Sequence, residues 1–490
     1  MAELKPANEN PWYVLMTLHG EYVEGHDGEL AAKNTRLWNI WSCQNLSDAE
    51  REDLRSKGSK IPGKYQWADS RGAIEALYEK AMKERNSENF EVPDLPEPSV
   101  SIDMRNTNLS LNIVLEEAVF AQSILFGFSR FTGSANFRRT IFLQDASFFS
   151  AAFLEEAMFD LALFSRRTSF RSASFKGKAS VEAASFESRA SFRLTMFEED
   201  SNFYATQFLD DVSFENSFFS KNSSFQAASF QKDSSFEGAS FSEFSSFNSA
   251  SFAGVARFSR SKFGVDTSGR DACQSDFRDA IFSKQTTFRE AHFNDLFPMF
   301  SGTVFYERTQ FTAKEGYWPS GSQPNPELAK DACAALRHVV ARQSLPEAEY
   351  FFFRLEMKFS GQSGPWLSRP IYWFYGFVSD YGYSVGRPAT SIALLWLLGF
   401  VVFQGCGGDD AFCVVDPPQA RLLSSADAAG FSASNIFKFF GFQRTYFADE
   451  LKLIEAQRPG LLNLAAFQTV LGYILLFFLG LGLRARFRLR

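Results

Sequence analysis

The stretch from Ala173 to Phe192 reads ASFKGKASVEAASFESRASF, and its spacing decides the fold. Large apolar residues stand at Phe175, Val181, Phe186 and Phe192, so the steps alternate between six and five residues and the true period is eleven. Outward from it, Phe holds the same slots from Phe131 through Phe153, Phe197, Phe219 and Phe241 to Phe263. Upstream, Met104, Leu109, Leu115, Phe120 and Phe126 keep the register. A small residue stands two positions before most of these, as Ala173 before Phe175, Ala184 before Phe186 and Ser223 before Phe225.

Such regularity is a repeat signature. A right-handed coiled coil also has an eleven-residue period, but its apolar positions lie three and four apart. Residues five and six apart fall on different faces of a helix, and the intervening Ser, Thr and Asn are weak helix formers. The triplet of small residue, polar residue and Phe instead suits a very short strand whose first and third side chains point inward. Turn-forming residues follow each triplet, so the chain is expected to wind into a solenoid whose coils pair through their backbones.

The unit of small residue, polar residue, central Phe and two further residues resembles the pentapeptide-repeat family, in a Phe-rich variant with alternating five- and six-residue units. The resemblance implies an all-β solenoid, a right-handed quadrilateral β-helix with 22 residues per coil. Phe131, Phe153, Phe175, Phe197, Phe219 and Phe241 would then form one column of its core. Two irregularities interrupt it. Phe263 and Phe277 are fourteen residues apart, which is read as a three-residue bulge, and the register slips near Pro298 before Phe305 and Phe311.

Around the ladder, residues 1–91 are expected to form a small α/β N-terminal cap and 92–101 a proline-spaced linker. The β-helix is assigned to 102–311, a helical C-terminal cap to 312–364, an interfacial aromatic segment to 365–387, and a transmembrane domain to 388–490. Met1 to Pro11 is polar and no apolar run follows it, so no signal peptide is expected. Trp12 to Leu18 (WYVLMTL) reads as one buried strand and Glu29 to Trp41 as a helix. Ser47 with Glu50, and Ser344 with Glu347, have capping-box spacing, and Asn325-Pro326 is a helix start.

Two uncharged runs, 389–405 and 461–483, are long enough to span a bilayer. Between them, 431–442 (FSASNIFKFFGF) is too short to cross and is read as a re-entrant or interfacial helix, with Asn435, Lys438, Gln443 and Arg444 as its candidate polar residues. In the second run Asn463, Gln468, Thr469 and Gly472 are candidate pore or helix-packing residues. Arg369, Arg387, Arg484, Arg486, Arg488 and Arg490 flank the runs, so both ends and the solenoid are placed in the cytoplasm by the positive-inside rule. Cys406 and Cys413 would then lie in an oxidising space, where a disulfide and two free thiols both remain open. The order span, short helix, span is similar to two-span channel pore domains, without a TVGYG-type filter. The closing LLFFLGLGLRARFRLR resembles the end of bacterial pentapeptide-repeat membrane proteins, which implies an inner-membrane location.

No catalytic constellation is found. Gly382 to Gly386 (GYSVG) matches the nucleophile-elbow pattern, but no buried strand precedes it and Arg387-Pro388 follows where a helix should begin. Four His in 490 residues leave little for metal or acyl-transfer chemistry, and no enzyme activity or cofactor is expected. A net charge of −7 does not point to nucleic acid. The expected partners are membrane lipid and further copies of the chain, in an oligomeric membrane protein with a gated ion pore. The alternative is a membrane-anchored scaffold whose rod docks a cytoplasmic protein. A third reading, DNA mimicry against a topoisomerase, comes from the resemblance alone.

Overall fold

The computed structural model describes residues 4–22, 28–58, 60–87, 89–264, 273–404, 423–457 and 460–487. The chain divides into two compact units, Met1–Phe352 and Phe353–Arg490.

In the first unit the ladder forms an all-parallel β-solenoid. Strands of two or three residues build four parallel sheets, two of ten strands and two of eight, and within the body of the solenoid each strand pairs with the fourth before and the fourth after it. The pairing repeats every 22 residues: Phe131 sits on Phe153, Phe153 on Phe175, and so on through Phe197, Phe219, Phe241 and Phe263. Ring centroids in this column are 4.5 to 5.0 Å apart with planes within 12° of parallel. Rings from neighbouring columns meet edge to face, as Phe203 does with Phe214 at 5.4 Å and 88°. The small residue of each triplet is buried beside the ring, while the middle residue faces outward.

The five-residue steps turn through a left-handed residue. Phe126 O accepts from Ser129 N at 3.1 Å, with Phe128 at φ 61° between them. The same conformation recurs every eleven residues at Arg139, Ser150, Leu161 and onward. An L-residue there costs about 1–2 kcal/mol. It is held because its amide joins the inter-coil ladder: Arg139 N donates to Asp160 O and Leu161 N to Glu182 O, both at 2.8 Å.

The interval after Phe263 differs from the sequence reading. Phe247 stacks on Phe277 at 4.9 Å, and Ser245 pairs with Ser275, thirty residues on. The insertion is therefore eight residues, not three; counting by elevens supposed an occupied slot where the chain has none. Its residues 265–272 lie outside the described set. At the second slip Phe288 pairs with Phe311, one residue more than a coil, and the stack continues through Phe282 to Phe305.

The N-terminal segment closes the first coil with helices α1 (Pro11–Met16), α2 (Gly28–Ser42), α3 (Asp48–Ser56) and α4 (Gln66–Arg85). The run Trp12 to Leu18 is not a strand: it begins as α1, because Pro11 opens the first turn and the Asn10 side chain accepts from Trp12 N. Side chains of α2 satisfy the exposed strand edge: Trp38 Nε1 donates to Val119 O at 3.0 Å and Asn39 Oδ1 accepts from Val119 N at 2.8 Å. Lys5–Pro6 pairs with Thr107–Asn108 and Asn10 Nδ2 donates to Asp103 O, so two further edges are covered. The Ser47–Glu50 capping box is present.

At the other end Trp318 stacks on Phe293 and Phe297 and meets Phe352 edge-on at 5.1 Å. Helix α5 (Pro326–Arg342) is capped by Asn325 and buries Ala329, Ala332, Cys333, Leu336 and Val340. Helix α6 (Pro346–Ser363) starts at Pro346 rather than at Ser344. Ser344 is left-handed at φ 57°, and Leu345 N donates to Val340 O, so the pair terminates α5 instead of capping α6.

The second unit is helical: α7 (Arg369–Ser379), α8 (Gly386–Gln404), α9 (Ser425–Ile436), α10 (Phe442–Tyr446), α11 (Ala448–Gln457) and α12 (Gly460–Arg486). The run 431–442 is not one helix. It ends α9, passes a short 3-10 turn at Lys438–Phe440, and reverses at Gly441, whose φ of 73° suits glycine.

Two measurements test this fold. Phe203→Ala should destabilise the solenoid by about 3–5 kcal/mol, read by urea unfolding, because Phe203 is fully buried and stacked on Phe225 at 4.8 Å. Burial among Leu54, Ile61, Val119 and Ile141 pushes the Cys43 thiol up to about 12, so at pH 8 it stays neutral and iodoacetamide should modify it only after denaturation.

Candidate functional site

Helices α8 and α12 are long and apolar enough to cross a membrane. Only 22% of each apolar window is buried within the structure, which leaves Leu394, Leu398, Val401, Phe467, Val470 and Phe477 exposed. Side-chain contacts fix how the helices run. Leu395 meets Gln468, Phe403 packs with Ala465, and Gly482 approaches Ser384 O, so α8 and α12 are antiparallel. Their basic ends, with Arg387, Arg484 and Arg486, therefore fall on one side. There Asp380 holds Arg354 at 2.8 Å and Arg387 at 3.8 Å.

Helix α9 starts beside the far end of α8, where Gln404 Nε2 donates to Ser425 Oγ at 2.7 Å. It descends past Trp396, whose Nε1 donates to Ala429 O, and ends with Ile436 against Leu395, Gly472 and Leu475. Those residues are near the middle of α8 and α12. After Gly441 the chain climbs back: Phe447 lies against Gly430 and Phe431, and Ile454 joins Phe403, Leu423 and Ala465 at the starting level. Residues 425–457 thus form a hairpin that reaches the midpoint of α8 and α12 and returns to the helix ends from which it started.

Inside this arrangement lies a chain of uncharged polar side chains. Gln443 Nε2 donates to Asn435 Oδ1 at 3.0 Å, and Asn435 Nδ2 donates to Gln468 Oε1 at 3.1 Å. Gln468 Nε2 then donates to Leu395 O at 2.9 Å and Ser432 Oγ at 3.0 Å, and Ser432 Oγ donates to Trp396 O. All four side chains are buried. Gly399 makes room for them, since a Cβ there would meet Gln468 Nε2 at 2.0 Å and Ser432 Oγ at 2.4 Å.

The structure therefore joins three of the sequence-selected residues, Asn435, Gln443 and Gln468, in one network. Gly472 lies beside it and lets the Ile436 backbone approach. Thr469 bonds its own helix at Ala465 O, and Asn463 is exposed at the start of α12. Lys438 and Arg444 are exposed on the hairpin. Ser432 and Gly399 were not selected from sequence; a glycine opposite a polar residue on a second apolar helix was the available signal. Cys406 and Cys413 lie outside the described residues. In GYSVG, Ser384 Oγ accepts from Arg387 N at 3.1 Å, so this serine caps the start of α8. Among the described residues no cluster of His, Cys, Asp or Glu could hold a metal ion.

No family model matches the chain, and no curated protein or solved structure matches it either.

Gly399→Ala should displace Gln468 and lower the thermal stability of the detergent-solubilised protein by about 1–3 kcal/mol, the cost of unsatisfied buried amide groups. In a Gln468→Ala background, where the methyl has space, the same change should cost much less.

Proposed function

We propose that the protein is a non-enzymatic, self-associating membrane protein in which the solenoid is a cytoplasmic rod and the helical unit is a pore-forming subunit. The half-depth hairpin between two antiparallel apolar helices carries this reading. Polypeptide that stops at mid-depth is tolerated only where protein or water, rather than lipid, surrounds its tip. One chain supplies two spans and a satisfied polar network, and that is too little to enclose a water path. Several copies arranged with their hairpins facing one another would enclose it.

The outer face of the hairpin supports the same arrangement. Helix α11 turns Leu451 and Ile454 inward, while Asp449, Lys452 and Glu455 are exposed. Trp366, Trp373 and Phe377 stand exposed on and before α7, with Trp373 and Phe377 stacked at 5.3 Å. Exposed aromatics beside the basic ends of the spans suit a helix lying at the membrane surface.

Full-length protein should stay in the membrane pellet after alkaline carbonate extraction and run as an oligomer by native mass measurement in detergent. Release by carbonate would overturn the membrane reading. A membrane-retained monomer would leave an anchored scaffold whose rod docks a soluble partner.

A further inference from the structure

Lys438 follows the end of α9 at the tip of the hairpin. Its neighbours fix its depth. Ile436 and Phe437 pack with Ile392, Leu395, Leu471 and Leu475, and the ring of Phe439 approaches that of Tyr473 at 6.5 Å. Tyr473 is the midpoint of α12, Gly460–Arg486. With α12 spanning a hydrocarbon core of about 30 Å, the tip lies near the centre, and a lysine side chain is much shorter than the distance to either interface. Arg444 is close to the same level, because its neighbour Gln443 bonds Asn435.

Both cations are exposed, and among the described residues neither has a carboxylate within ion-pair distance. The carboxylates of the hairpin stand elsewhere. Asp449, Glu450 and Glu455 are on the returning α11, with Asp449 3.5 Å from Lys452, and Asp427 is in the first turn of α9, where it holds the Ser424 cap. Facing the tip from α8 and α12 are apolar residues and the neutral amide network. Cations at this depth in lipid are strongly disfavoured, and charges found there face protein or a water-filled cavity.

We infer that Lys438 and Arg444 from several copies of the chain line a shared water-filled cavity at the centre of the assembly, and that the cavity takes small inorganic anions. Rings of Lys and Arg draw anions for the same electrostatic reason that carboxylate rings draw cations. The α9 carbonyl end would disfavour an anion, and the two unpaired side-chain charges per copy offset it. The inference rests on the pore-forming reading above and names the ion class that this reading leaves open.

The test uses full-length protein in liposomes loaded with potassium chloride, with chloride and potassium efflux followed by ion-selective electrodes. Chloride should leave faster than potassium. Lys438→Gln should slow chloride efflux at least 5-fold, and Lys438→Arg should restore it. Because Lys438 is exposed, neither change should disturb folding, which retention of the oligomer will verify. In parallel, Lys438→Cys should react with a water-soluble anionic methanethiosulfonate above the wild-type background, and faster than with its cationic counterpart. An oligomer retained in the membrane whose chloride efflux is absent or indifferent to Lys438→Gln, or whose Lys438→Cys thiol is inert, overturns this inference alone. Loss of membrane retention or of the oligomer overturns the proposed function beneath it.

Discussion

The first unit depends on the coincidence of two spacings. Paired strands lie about 4.7–4.9 Å apart, and that is also a comfortable separation for stacked aromatic rings. A parallel coil that places Phe over Phe satisfies backbone ladder and ring stack together, as Phe219 on Phe241 at 4.8 Å shows. Face-to-face stacking is not the preferred geometry of an isolated aromatic pair. Here most rings also meet rings of adjacent columns edge-on, as Phe225 meets Phe236 at 5.3 Å and 89°. The core is thus a lattice in which most rings have both kinds of neighbour, Phe175 beside Val181 being an exception.

Other features follow from keeping that lattice in register. A corner must be turned in five residues without breaking the ladder, which forces one left-handed residue every eleven. Among the corners from Asn106 to Arg260 only Gly238 is a glycine, the residue best suited to it; elsewhere Arg139, Leu161 and Leu194 accept strain because their amides bond the next coil. The ends are the weak points, since an uncapped solenoid exposes four strand edges. Asn39 and Trp38 meet that need with side chains that imitate the missing coil, and Trp318 covers the last rings in place of another Phe.

The helical unit solves a different problem with uncharged amides. Close approach and hydrogen bonds set the packing of its apolar helices. Gly399 and Gly472 permit the approach, and Gln468 reaches both α8 and α9. The network ties the hairpin tip to both α8 and α12, so the geometry around Lys438 is held by neutral groups while its charged side chain is exposed.

The sequence alone determined the solenoid's eleven-residue repeat and the two membrane-length helices, because each rests on a periodicity or a run length that no tertiary contact can alter; the 22-residue coil was implied by the resemblance, and the pairing of Phe131 with Phe153 bears it out. Phe131 and Phe153 must stack if residues 22 apart pair at all. It misread Trp12 to Leu18, since a continuous apolar run has no period, and the Asn10-Pro11 start was passed over although the same pair was recognised at Asn325-Pro326. Folding alone decided what depends on residues distant in the chain: the eight-residue insertion, visible only once Ser245 meets Ser275; the use of Ser344 to end one helix rather than begin the next; and the meeting of Asn435, Gln443, Ser432 and Gln468. Repeats encode their own neighbours, whereas a polar residue on an apolar helix carries no record of the partner that will satisfy it.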